Sequence, residues 1–90
     1  MAIVALKIKV MPESPETDLK AIKEQAEKSM LAEGAKRVII EEQEIAFGLK
    51  AVILTIAWPE EKNTDLAENK LREIKGVSSV ETIDYRRAIG

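Results

Sequence analysis

Ninety residues, 46% hydrophobic and 33% charged, read as one small globular domain over 1–90 and not as a disordered chain. A net charge of −2 supplies no basic field for nucleic acid, and the lack of any Cys or His removes thiol nucleophiles, disulfides, imidazole acid–base chemistry and the usual zinc sites. No apolar run approaches the roughly 20 residues of a membrane span, and the first residues do not form a signal peptide, so a cytoplasmic domain without metal or cofactor is expected.

Ile3 to Val10 alternates, with Val4, Leu6, Ile8 and Val10 on one face and Ala5, Lys7 and Lys9 on the other, which predicts a strand with one buried face. Met11-Pro12-Glu13 interrupts it. Ser14-Pro15-Glu16 has the form of a helix start, with Ser14 as N-cap and Pro15 at the first helical position. Leu19, Ile22, Ala26 and Met30 follow at helical spacing up to Gly34. Lys36 to Ile45 reads as a second strand. It is β-branched at Val38-Ile39-Ile40 and acidic at Glu41-Glu42-Gln43-Glu44, a pattern that suits a sheet edge. Phe47-Gly48 then reads as a tight turn, with the ring either displayed at the tip or packed into the core beside it. Leu49 to Trp58, with Lys50 its only charged residue, predicts a central strand that Pro59 stops. Asn63 or Thr64 can cap a second helix carrying Leu66, Ala67, Leu71 and Ile74, which Gly76 ends. Ser79 to Arg87 is the last strand, followed by Ala88-Ile89-Gly90.

The order β-α-β-β-α-β predicts an α+β fold of ferredoxin-like type. Its sheet is four-stranded and antiparallel, ordered 4-1-3-2, with both helices on one face. In that topology strands three and four run parallel. The Phe47 turn lies at one end of the sheet, and Tyr85-Arg86-Arg87 lies at the other end, beside Trp58. The helix-free face is expected to leave apolar residues partly exposed. The isolated glycines form no phosphate loop, and the central strands lack the stacking aromatics of an RNA-binding sheet.

Three blocks carry a resemblance. Lys7-Ile8-Lys9-Val10-Met11-Pro12-Glu13-Ser14-Pro15, Ile45-Ala46-Phe47-Gly48-Leu49-Lys50-Ala51 and Gly76-Val77-Ser78-Ser79-Val80-Glu81, with Asp84, Arg86 and Arg87, resemble archaeal translation elongation factor 1-beta from end to end. The resemblance implies a guanine-nucleotide exchange factor whose partner is the GTPase elongation factor 1-alpha. It implies the exchange domain alone, with no N-terminal extension, acting without covalent chemistry and so not as an enzyme. It also implies a monomer when free, with no direct nucleic-acid or membrane contact. In the related eukaryotic domain a Phe of the matching block contacts the GTPase, and a Lys near the C-terminus reaches the magnesium and phosphate region. Phe47 and Gly48 match the first. Arg87 aligns with the second, with Tyr85 where an aromatic sits and Arg86 as the other candidate cation. Here the sequence departs from the pattern, since Arg replaces Lys and three residues follow it. The alternative reading is a small-molecule-binding regulatory domain of the same fold.

Overall fold

The computed structural model describes residues 2–87. Its elements run β1 (Ile3–Pro12), α1 (Leu19–Ala32), β2 (Arg37–Ala46), β3 (Leu49–Pro59), α2 (Thr64–Arg72) and β4 (Val77–Arg87). The strands form one sheet in the order β2-β3-β1-β4, every neighbouring pair antiparallel. This is the ferredoxin-like arrangement that the alternating pattern predicts.

The core follows from the register of the two central strands. Val4, Leu6, Ile8 and Val10 stand directly opposite Trp58, Ile56, Leu54 and Val52, and all eight are at most 1% exposed. Ile22, Ala26 and Met30 of α1 and Ala67 and Leu71 of α2 close the layer above them. Truncating one of these buried aliphatic side chains to Ala would cost about 2–5 kcal/mol, since neighbours refill such a gap only in part. Glu68 ties α2 to the sheet, its Oε2 accepting from the Thr82 N–H at 3.1 Å and the Thr82 hydroxyl at 2.6 Å.

The first helix starts later than the Ser14-Pro15 signal predicts. Asp18 is the N-cap, its carboxylate accepting from the Ala21 N–H at 3.2 Å, and the helix begins at Leu19. Ser14 instead closes a turn: its carbonyl accepts from the Thr17 N–H at 3.1 Å, and its own N–H donates to Thr17 Oγ1 at 3.1 Å. The physical reason lies upstream. β1 runs through Pro12, and the Glu13 N–H then donates to the Gly76 carbonyl at 2.9 Å. The chain is thus still tied to the sheet at Glu13 and needs the next turn to climb to the helix layer. Gly76 is required at that crossing: its φ is +94°, and a Cβ there would lie 2.9 Å from Thr17 Cγ2. The second helix starts where expected. Asn63 caps it, Asp65 sits in its first turn, and Lys70 and Arg72 in its last, the charges that complement a helix dipole.

The helix-free face is better covered than its sequence suggests. Across it run the rows Arg37–Ala57–Ala5–Arg86, Ile39–Thr55–Lys7–Asp84 and Glu41–Ile53–Lys9–Glu81. Ala51 and Ile53 are 0% and 5% exposed although no helix lies over them. Gln43 of β2 stands opposite Ala51, and Glu41 of β2 and Lys9 of β1 flank Ile53. On the outer strands β2 and β4, Ile39 and Ile83 stay about two-fifths exposed.

Candidate functional site

The β2–β3 connection is a two-residue turn between the paired residues Ala46 and Leu49. Both central residues have positive φ, +54° at Phe47 and +79° at Gly48, the signature of a type I′ hairpin turn. Gly48 suits that geometry. Phe47 does not, because the left-handed region brings Cβ against the backbone and costs a residue of this kind about 1–2 kcal/mol. The ring repays none of that by burial, for Phe47 is 100% exposed. Of the two sequence readings, display at the tip is the one the structure shows. Ile45 just before the turn pairs with nothing: Glu44 faces Lys50 and Ala46 faces Leu49, so Ile45 is a bulge residue, 39% exposed. The tip also overhangs the rest of the sheet. β1 pairs with β3 only as far as Val52, and Leu49–Ala51 pair with β2 alone. A strut behind it is the Lys23–Glu42 ion pair from α1 to β2. Accepting the Lys23 hydrogen bond, with the attraction of that ammonium and of Lys50, lowers the Glu42 pKa below its ordinary value.

Tyr85, Arg86 and Arg87 end β4 at the opposite end of the sheet. Their register partners in β1 are Leu6, Ala5 and Val4. Tyr85 and Arg87 therefore stand on the helix side and Arg86 on the helix-free side. Tyr85 is 52% exposed. Arg86 Nε donates to Asp84 Oδ2 at 3.0 Å within its own strand. Arg87 pairs with Glu60, and that hydrogen bond and charge raise the guanidinium pKa above its ordinary value. Trp58, in the same row as Val4 and Arg87, is 0% exposed; its indole N–H donates to the Lys62 carbonyl at 3.3 Å and the Lys62 ammonium lies 5.4 Å from its ring centre. It is core, not a contact residue.

The structure thus brings Phe47 and Gly48 together at one end, and Tyr85, Arg86 and Arg87 at the other, but it does not join the two groups. Leu49 to Trp58 is nine steps of strand, or about 30 Å at ~3.3 Å each, within a molecule 41 Å long. Sequence reasoning missed Glu60 and Ile45. Glu60 was findable, because an acid directly after the Pro59 strand stop falls beside the end of β4 in this topology. Ile45 was not, because a bulge leaves no mark in the alternation.

A shallow apolar depression of about 190 Å³ on the helix-free face is lined by Ile3, Ala5, Arg37, Ile39, Thr55 and Ala57 among others. It lacks the converging polar groups that orient a small ligand. Among the described residues no helix is long and apolar enough to cross a membrane.

The architecture is that of a ferredoxin-like α+β domain with its two unusual clusters at opposite sheet ends. The sequence pattern of the EF-1 guanine nucleotide exchange domain matches residues 5–87. Similar proteins include elongation factor 1-beta of Methanothermobacter thermautotrophicus, 42% identical over 88 residues that span 97% of this chain and 98% of that one. The corresponding protein of Methanosphaera stadtmanae is 44% identical over the same shares, and that of Metallosphaera sedula is 40% identical over 97% of each chain. The chain belongs to the EF-1 guanine nucleotide exchange domain family.

Proposed function

We propose that this chain promotes GDP release from the GTPase elongation factor 1-alpha by touching it at two separated places. Family membership supports exchange of guanine nucleotide. The observation that carries the two-point reading is Phe47, fully exposed on a strained turn about 30 Å from the arginines. A nucleotide pocket is far smaller than that span, so only one end acts there. The cationic end is the chemically suited one. Arg87, on the same side as Tyr85 at the strand terminus, reaches the magnesium and phosphate region, where a guanidinium competes with the metal for its ligands. Phe47 anchors the chain on a distant surface of the GTPase. Arg86, on the other face, plays the smaller part.

Exchange of this kind is differential binding. The chain must bind the nucleotide-free GTPase better than the GDP form, and by linkage GDP must weaken the complex by the same factor. Titrating the GTPase with the chain, with and without GDP and magnesium, tests this. At least tenfold tighter binding without nucleotide is expected, and equal affinity in both states would overturn the reading.

A further inference from the structure

The end of the sheet that carries the arginines holds a second charge that the exchange reading does not use. Glu60 follows directly on β3, and its N–H donates to the Ala2 carbonyl at 3.0 Å, which fixes its backbone against the start of the chain. Register places Arg87 and Trp58 on either side of Val4, which brings Glu60, just past the end of β3, beside the end of β4. The two side chains form an ion pair and hydrogen bond. The carboxylate is the more enclosed member, at 27% exposure against 71% for the guanidinium. Arg86 is not equivalent, since its partner Asp84 lies two residues away on its own strand and on the opposite face.

We infer that Glu60 is a positioning residue for Arg87: it holds the guanidinium against the β3–α2 loop in the free chain and must release it before the cation engages the GTPase. The inference rests on the reading of Arg87 as the reaching cation. While paired, the guanidinium offers its charge and at least one of its donors to Glu60 and not to a phosphate or a metal-site carboxylate. The pair is solvated and therefore weak, so release is fast and the penalty on exchange is modest. Its role is to orient the guanidinium beside the β3–α2 loop until a stronger set of acceptors is presented.

The test compares wild type, Glu60→Gln, Glu60→Asp, Arg87→Ala and the Glu60→Gln/Arg87→Ala double variant. Release of fluorescent GDP from elongation factor 1-alpha is followed against factor concentration. Glu60→Gln keeps the side-chain shape and removes the charge. It should raise the maximal release rate about two- to fivefold at low salt and leave the half-saturating concentration unchanged. That gain should vanish near ~0.5 M salt, where the wild-type pair is itself screened. Glu60→Asp should behave as wild type, and the double variant as Arg87→Ala. A merely structural Glu60 would give no salt-dependent gain in rate. If Arg87→Ala slows release but Glu60→Gln leaves it unchanged or slower, the inference is overturned while the exchange reading stands. If Arg87→Ala equals wild type, or wild type gives no acceleration, the reading itself falls and takes the inference with it.

Discussion

Phe47 offers a test in which stability and binding move in opposite directions. Replacing it with Asn places Asn-Gly, the preferred pair for a type I′ turn, between Ala46 and Leu49. The ring is 100% exposed, so no buried surface is lost on folding. What changes is the left-handed backbone at φ +54°, which Asn tolerates and Phe does not. Relief of about 1 kcal/mol is expected. With a urea slope of ~1–2 kcal/mol per molar for so small a domain, the unfolding midpoint should rise by about 0.5–1 M. Removal of an aromatic anchor should cost at least ~2 kcal/mol of partner binding, or about a 30-fold rise in the half-saturating concentration for exchange. Phe47→Ala separates the two effects: it should lose the same binding with stability within about 1 kcal/mol of wild type. A midpoint that falls by the equivalent of ~3 kcal/mol would show the ring to be core. An unchanged half-saturating concentration would remove Phe47 from the contact surface.

The remaining predictions concern the other end and the frame. Arg87→Ala should slow catalysed GDP release far more than it weakens binding to the nucleotide-free GTPase, and added magnesium should antagonise the wild type; Arg86→Ala should do less, and exchange assays on both variants read the difference. Trp58→Ala should cost about 3–5 kcal/mol in a denaturant melt, because a fully buried ring and its hydrogen bond to Lys62 are lost together. The Glu42 pKa is lowered in the folded chain, so the stabilisation from its pair with Lys23 is present above the ordinary carboxylate value and lost as pH falls through the lowered one. Melts at stepped acid pH should therefore show a shallower acid loss for Glu42→Gln than for wild type.

Most of the frame was legible because it rests on alternation. Val4, Leu6, Ile8 and Val10 have one possible inward face, and the β-α-β-β-α-β order with right-handed crossovers gave the strand order; the register that sets them against Trp58, Ile56, Leu54 and Val52 came from the structure. The start of α1 was not legible. Ser14-Pro15 and Asp18 are both sound caps locally, and the choice between them was made by a long-range hydrogen bond from Glu13 to Gly76. For the candidate site, the sequence placed Phe47 and the arginines at opposite ends but left the ring's exposure open. A Phe before Gly has a place both in a core and on a tip. The pairing of Ala46 with Leu49 decides it, because that register forces φ positive at Phe47 and turns the ring away from the sheet. The Arg87–Glu60 pair was findable from the topology but not from local pattern. It joins residues 27 apart, and it becomes visible only once β3 and β4 are known to flank β1 with their ends level.

The central claim is that the chain releases GDP through contacts at both ends of its sheet. The most direct measurement is the rate at which fluorescent GDP leaves elongation factor 1-alpha from the same source as the chain concentration is raised. Wild type should accelerate release to a plateau, Phe47→Ala should reach that plateau only at much higher concentration, and Arg87→Ala should lower the plateau itself. A flat response to wild-type chain, or identical curves for all three proteins, would contradict the account.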